Sequence, residues 1–433
     1  MKKIVKYSII FLCIVLLTLV VKIKCIPDNN NLIVHDKNIH WDIVQKGLTG
    51  AADFTEDEKG NLYIAYNNRI DIILNNGSSY TLIKVDNINI SSIEYYKNKL
   101  YYCGNTRLYC YDLNNKNNSE LLGSIPNYGD YNKSIIKIYK DILFLSIGSV
   151  TNSGVVGEDN RWLRDYSFYY DLSPKELVLK GINFNNNKTG AFVPYNSKSV
   201  QGQVIPSHFP GNSSLVSYNL KNGEAETYAW GIRNFQGLDI DSSGKIFSVV
   251  TGMEDRGLRP VKGDNDYIYE IKKDIWYGFP DFSGGDPITS PKFKDDNGKG
   301  IPFILAIHPS SNPPAPLYQS AGVSALKGLC IDRFNVLGDK DSKYLYDKNG
   351  NKIISLNKQG AVNDKISLHG SQLVNMKFTK DKMMVLSSNG VMYKLTRINS
   401  ASLDNNINII IFILIISILG ILLIVIPKKN KNN

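Results

Sequence analysis

Residues 230–252 read WGIRNFQGLDIDSSGKIFSVVTG. The segment holds an Arg-Asn pair, then two runs of alternating apolar and small or polar residues separated by Asp-Ser-Ser-Gly. Alternation of period two over short runs, bounded by turn residues, reads as an antiparallel pair of strands. Asp, Ser and Gly supply the turn, because their side chains or their lack of one suit tight backbone conformations.

The same unit recurs along the chain. It is present in GAADFTEDEKGNLYIAYNNRIDIIL (50–74), ISSIEYYKNKLYYCGNTRLYCYDL (90–113) and SIIKIYKDILFLSIGS (134–149). The opening stretch supplies a fourth copy, closed by DYIYEIK (266–272). ALKGLCIDRF (325–334) with KYLYDKNGNKIISL (343–356) forms a degenerate fifth, and LVNMKFTKDKMMVLSSNGVMYKLTR (373–397) the sixth. Repeated strand–turn–strand units that bury their faces against neighbours point to a β-propeller. Two β-sandwiches are the competing architecture, and the recurrent x-Gly-x-Leu-Tyr hairpin favours the propeller. The fold class expected is all-β, a six-bladed β-propeller with long inserted loops, plus terminal transmembrane helices. The inserts are residues 153–210 and 275–320, rich in Gly, Pro, Asn and Ser, and long loops on a rigid scaffold are where binding resides.

The ends set the expected compartment. Residues 409–426, IIIFILIISILGILLIVI, are apolar or small throughout and are followed by PKKNKNN. At ~1.5 Å per residue such a helix spans a hydrocarbon layer of ~30 Å, and flanking lysines favour the cytoplasmic side. The N-terminus carries lysines at 2, 3 and 6 ahead of an apolar run, Ile9–Val21, the layout of a signal peptide or signal anchor. The expected organisation is a signal segment (1–27), an extracytoplasmic propeller (28–400), a transmembrane helix (405–427) and a basic cytoplasmic tail (428–433). The protein is thus expected at the cell membrane.

Formal charge is +10, but eight lysines belong to the two ends, which leaves roughly +2 for the exterior part. That balance excludes a nucleic-acid surface as the expected role. Of the five cysteines, Cys103 and Cys110 flank a turn, and both a disulfide and two buried thiols are compatible with that spacing. No Cys/His spacing matches a zinc site. Nucleophile-elbow, phosphate-loop and zinc-protease motifs are missing from the sequence.

Polar residues at blade ends remain as candidates. Arg233 and Asn234 directly precede an inner-type strand, which places them at one mouth of the central channel. Arg offers a planar fork for carboxylates and Asn both donates and accepts. The same groups serve equally to tie neighbouring loop carbonyls together. GMEDRGLRPVKGDNDYIYEI (252–271) sets Asp255, Asp264 and Asp266 among Gly and Pro, an oxygen-rich loop of the kind that holds Ca²⁺.

Together these stretches resemble the glucose/sorbosone dehydrogenase family. YAWGIRNFQGLDIDSSGKIFSVVTG carries an A-x-G-x-R-N pattern, and DRGLRPVKGDNDYIYEIKKDIWYGFPDFSGGDP is similar to the family's R-G-x-R-P … D-x-x-Y-x-I … W-Y-G-W-P-D run. HPSSNPPAPL (308–317) and the closing GVMYKL fit the same layout, so the resemblance covers roughly residues 45–397. It implies an exported six-bladed propeller which, in the family's characterised branch, oxidises sugars with pyrroloquinoline quinone (PQQ) and calcium. A histidine there takes the sugar hydroxyl proton while hydride passes to the quinone. Carried over, Arg233 and Asn234 contact the cofactor, and Arg256, Gly257, Pro260 and Asp266 form the calcium region.

The sequence also departs from the family pattern. Asp130 and Tyr131 stand where the family has Asp and its catalytic histidine, and a phenol with an ordinary pKa of ~10 is a poor base near neutrality. A second histidine position is occupied by Val323. The Lys and paired Arg that clamp quinone carboxylates are not matched in NKQGAVNDK. Two functions follow from this reading. One is PQQ- and calcium-dependent oxidation of a sugar; the other is a catalytically inactive propeller that binds a glycan, envelope component or partner protein through the same mouth.

Overall fold

A computed structural model describes residues 32–357 and 359–398. The signal segment, the apolar run 409–426, the basic tail, Cys13 and Cys25 lie outside the described residues. Among the described residues no helix is long and apolar enough to cross a membrane; a single 3₁₀ turn, Arg161–Arg164, interrupts an otherwise all-β chain.

Six sheets of four or five antiparallel strands follow one another along the chain, here blades 1 to 6. Their inner strands are Ala51–Glu56, Ile90–Tyr96, Ile136–Tyr139, Phe235–Ile240, Leu326–Ile331 and Leu373–Phe378. Each inner strand lies beside the next, and that of blade 6 returns to that of blade 1. The ring is closed by the chain itself: Ile39–Gln45 pairs with Met392–Arg397 as the outer strand of blade 6. Leu32–Val34 adds a fifth strand to blade 5.

Burial explains why this ring forms. Six apolar clusters fill the six gaps between adjacent blades. Middle strands Leu62–Tyr66, Ile246–Val250 and Met383–Ser387 are buried at every residue. A blade pressed between two neighbours must be apolar on both faces, so the alternation expected from the sequence gives way there to continuous burial. Cys103 and Cys110 are both free thiols within the cluster between blades 2 and 3.

Polar ties cross the inner strands. Asp53 of blade 1 accepts from the Ile93 amide of blade 2 (2.8 Å), and Asp239 of blade 4 accepts from the Ile331 amide of blade 5 (2.8 Å). Glu94 is held between Lys137 (2.8 Å) and Lys377 (3.1 Å), joining blades 2, 3 and 6.

Both inserts interrupt blades. The first separates Ile142–Ile147 from Ser214–Asn219 in blade 3, and the second separates Tyr267–Ile271 from Tyr318–Gln319 in blade 4. They join each other: Leu177–Leu179 pairs with Val204–Ile205 on one side and with Leu305–Ile307 on the other. The joint core buries Trp230, Trp276 and Phe282, and Arg259 lies within it, ion-paired with Asp281 at 2.7 Å.

Candidate functional site

Approaches to the inner strands meet at one end of the ring. There Ser91 Oγ donates to Ser134 O (2.7 Å), Arg233 to the Tyr131 hydroxyl, and Ser324 Oγ to Glu254 (3.1 Å). Glycine makes the crowding possible. A Cβ on Gly129 would stand 2.2 Å from the Val150 backbone, and one on Gly148 2.4 Å from Tyr131 O. The segment carrying Asp130 and Tyr131 thereby lies flat against the end of blade 3, with the Asp130 amide bonded to Val150 O (3.0 Å). Gly231, at φ +71°, turns the chain over the Trp276 ring just before Arg233.

Arg233 is 3% exposed, and its guanidinium is engaged on every side. Nε donates to Asn152 O (2.8 Å) and Nη1 to Thr251 O (3.4 Å) and Gly252 O. Nη2 reaches the Tyr131 hydroxyl, Asn152 Oδ1 (2.7 Å) and Glu254 Oε2 (3.3 Å). Of the two roles open to it in the sequence, it performs the tying of loop carbonyls. Burial lowers its pKa to about 10, against the opposing pull of Glu254.

A second arginine completes the cluster. Arg256 donates from Nε to Glu254 (2.6 Å), from Nη2 to Asp130 (2.6 Å) and to the Tyr131 hydroxyl (2.7 Å), and from Nη1 to Asp159. Tyr131 in turn donates to Glu254 Oε2 (2.9 Å), while the Arg233 guanidinium lies 4.2 Å over its ring. The phenol oxygen thus accepts from two guanidinium groups and gives its proton to a carboxylate, which uses its full hydrogen-bonding capacity. Burial acts to raise the Glu254 pKa, but the two arginines outweigh it and hold the carboxyl below its ordinary value. For Asp159, burial prevails over Arg256 and the pKa rises.

Asp130, Tyr131, Arg233 and Arg256 therefore converge as one cluster. Asn234 lies beside it, 6% exposed, and its side-chain amide bonds to none of the described residues. Gly257, at φ +80°, brings its Cα against the Asp159 carboxylate. Pro260 is buried next to Arg259. Asp266 stands apart: its carboxylate caps the start of blade 5 by accepting from the amides of Ser324 (2.9 Å), Ala325 (2.7 Å) and Leu326 (2.8 Å). Burial raises its pKa to about 6.

The sequence reading missed Asn152, Asp159, Trp162 and Glu254. Asn152 is the hub, since its amide also donates to Glu254 O (2.7 Å) and Arg256 O (3.0 Å). Asp159 and Trp162 come from the first insert, and Trp162 Nε1 donates to Asp130 (2.8 Å). No local motif marks Asp159 and Trp162, which the folding of the insert over the mouth brings in, whereas Glu254 stands inside the 252–271 stretch, two residues before Arg256.

Beside Trp162 stands a group of aromatic rings. Tyr169 stacks on Tyr128 (3.7 Å between centroids) and on Tyr166 (4.7 Å), and Phe168 meets it edge-on at 4.9 Å. Tyr166 is 43% exposed and Phe168 64% exposed, so the wall they form faces solvent.

The residues present do not fit the quinone and metal roles expected for them. PQQ is a flat polycarboxylate, and Arg233 has no N–H left to offer one, while Arg256 already faces Asp130, Asp159 and Glu254. Calcium takes several oxygen ligands. The Asp266 carboxylate is capped by amides, Asp264 accepts from the Met253 amide, the Tyr267 hydroxyl and Ser283, and Asp255 pairs with Lys262 at the surface. Among the described residues no group of three or more His, Cys, Asp or Glu is placed to hold a metal ion.

No protein-family profile and no curated protein sequence matches the chain. Solved structures do. The chain is similar to the PQQ domain of pyranose dehydrogenase from Coprinopsis cinerea, with 14% identity, 85% of this chain and 98% of that one covered, and a TM-score of 0.56. It is also similar to a calcium structure of a carbohydrate-active enzyme of family AA12 from Trichoderma reesei, at 13% identity, coverage of 85% and 97%, and TM-score 0.58. A third is the PQQ-bound aldose sugar dehydrogenase from Streptomyces coelicolor, at 13% identity, coverage of 83% and 99%, and TM-score 0.51. At these identities the likeness is one of fold, and the propeller fold implied by the sequence resemblance is the fold this chain has.

Proposed function

We propose that this protein is a saccharide-binding propeller that keeps the fold of the quinone-dependent sugar dehydrogenases without their redox chemistry. The observation that carries the reading is the state of Tyr131, which occupies the expected base position. Its oxygen is filled by Arg233, Arg256 and Glu254, so taking a proton from a sugar hydroxyl would require dismantling the cluster. Binding is supported by the neighbouring wall of Tyr166, Phe168 and Tyr169. Aromatic rings present a large apolar face, and tyrosine adds a hydroxyl, which suits the C–H faces and polar rims of a pyranose. The unpartnered amide of Asn234 supplies both a donor and an acceptor at the same end.

Quinone-dependent oxidation is the second reading, favoured by the fold shared with the PQQ-bound sugar dehydrogenases. Titration of the full-length protein with a panel of oligosaccharides, and separately with PQQ and Ca²⁺, separates the two. Saccharide binding that PQQ does not alter supports a binding protein. PQQ binding accompanied by dye-linked sugar oxidation establishes the dehydrogenase instead.

We further propose that the propeller lies outside the cytoplasm and is held at the membrane by its C-terminal apolar run. The lysines that follow that run and the signal-like N-terminus support this placement. Protease added to intact cells should then degrade the propeller, whereas protection until the membrane is breached would place it inside.

A further inference from the structure

Each inner strand ends in a turn at the end of the ring opposite the mouth. All six turns carry an exposed lysine: Lys59, Lys97, Lys140, Lys245, Lys340 and Lys380, in blades 1 to 6. Contacts between the turns hold them side by side. Asp141 of blade 3 accepts from Tyr96 Oη (2.8 Å) and Lys97 (2.5 Å) of blade 2, and Asp341 of blade 5 accepts from the Ser242 amide (2.9 Å) of blade 4. Glu56 of blade 1 pairs with Lys382 of blade 6 (2.7 Å). The lysines therefore ring one face.

Acids of the same turns mostly fold inwards. Asp57 accepts from the amides of Lys59 (2.9 Å) and Asn61 (2.9 Å), and Asp241 from those of Ser243 (2.8 Å) and Lys245 (2.9 Å). Asp332 does the same for Val336 (2.7 Å) and Leu337 (2.8 Å). The exposed acids of these turns are Glu58, Asp339 and Asp381, three carboxylates against six ammonium groups. Lys59, Lys140, Lys340 and Lys380 pair with no carboxylate among the described residues. Exposed charges are screened beyond a Debye length of ~8 Å, so a charged surface brought against this face responds first to its outermost groups. Those are mainly lysines.

The chain leaves the ring on this same face. Met392–Arg397 runs towards it from the mouth, antiparallel to Met383–Ser387, and the Ile398 amide bonds to Asn38 O (2.7 Å). Ten residues, 399–408, separate Ile398 from the apolar run 409–426. Fully stretched they reach ~35 Å. An inner strand of 6 residues, such as Ala51–Glu56, is itself ~20 Å long. The first insert folds over its mouth end, so turning the mouth to the membrane would use most of that reach.

We propose that this lysine face docks on the anionic headgroups of the membrane that holds the apolar run, with the mouth directed away from it. The inference rests on the membrane-anchoring reading and adds the surface that meets the lipid. A cluster of lysines beside a membrane span is drawn to an anionic leaflet, and the attraction accumulates over the cluster.

The test is lysine acylation, read residue by residue by mass spectrometry, on the full-length protein reconstituted into vesicles. Vesicles of equal parts phosphatidylcholine and phosphatidylglycerol are compared with vesicles of phosphatidylcholine alone. In the anionic vesicles Lys59, Lys140 and Lys380 should react about fivefold more slowly than in the neutral ones, whereas Lys133 and Lys348, exposed at the mouth, should react equally in both. The protection should fade as salt is raised. K140Q/K340Q/K380Q should remove most of the protection of Lys59 and Lys97, with circular dichroism unchanged. Equal reactivity of the turn lysines in the two vesicles would overturn the docking face while leaving the anchor intact. Leu32 pairs with Leu368 at the mouth end of blade 5, so slowed reaction of Lys348 would show the N-terminal run drawing the mouth to the lipid and would overturn the orientation. Protein that floats with neither vesicle would overturn the anchor, and the docking face with it.

Discussion

Removing the Arg233 guanidinium tests whether the mouth is held together from within. In Arg233→Met three buried or nearly buried acceptors, the carbonyls of Asn152, Thr251 and Gly252, lose a charged donor. Each such loss costs about 1 kcal/mol. The ion pair with Glu254 adds less than its 3.3 Å separation suggests, since the Glu254 side chain is 26% exposed and solvent screens it; about 1 kcal/mol is a fair figure. The sum is about 4 kcal/mol, carried mainly by hydrogen bonds to the backbone. For the roughly 370 described residues the unfolding entropy is about 0.8 kcal/mol/K, so the melting temperature should fall by about 5 °C. Arg233→Lys keeps the charge but loses the planar fork, and should recover less than half of the deficit. Thermal unfolding followed by circular dichroism gives the answer. A melting temperature within about 1 °C of the parent would refute the assignment of Arg233 as a structural tie and return it to the role of a ligand contact.

Other perturbations address the surrounding structure. Asp171 accepts from the Val150 amide and Thr151 Oγ1, and burial pushes its pKa up to about 7. A carboxyl with a raised folded value contributes stability below its unfolded value near 4 and loses it as pH rises through about 7. Denaturant midpoints should therefore fall between pH 4 and 7 in the parent, and Asp171→Asn should flatten that slope. Glu94 works in the opposite sense: burial would raise its pKa, yet Lys137 and Lys377 overcome this and bring it to about 2. Its contribution is present above about 4.5 and lost as pH falls towards 2, so Glu94→Gln should be less sensitive to acid than the parent over that range. Phe168→Ala, at an exposed ring, should leave the melting temperature within about 1 °C, since substitutions at exposed sites are usually near neutral, while weakening saccharide binding severalfold.

The sequence exposed the ring well and the site only partly. Six strand–turn–strand units were legible because each blade repeats one apolar pattern and one turn chemistry, and each became a sheet in chain order. The opening stretch located the entry to blade 4, and Arg233, Asp130, Tyr131 and Arg256 do meet there. Asp266 was read as an oxygen donor for a metal, whereas its carboxylate caps three amides at the start of blade 5. A loop rich in Asp and Gly looks the same in sequence whether its carboxylates face outwards or bond to the backbone. Asn152, Asp159 and Trp162 were illegible for a different reason. Asp159 and Trp162 belong to an insert without periodicity and Asn152 immediately precedes it, and their partners, Asp130, Glu254 and Arg256, are distant in the chain, contacts no local pattern encodes.

Quinone chemistry at the mouth is the point on which the account stands or falls. The direct measurement is dye-linked oxidation of sugars by the full-length protein saturated with PQQ and Ca²⁺, with PQQ binding followed calorimetrically in the same preparation. With Tyr131, Arg233 and Arg256 engaged by one another and by Glu254, no PQQ should bind at tens of micromolar and no sugar should be oxidised above the protein-free rate. Stoichiometric PQQ binding with turnover that Tyr131→Phe abolishes would contradict it.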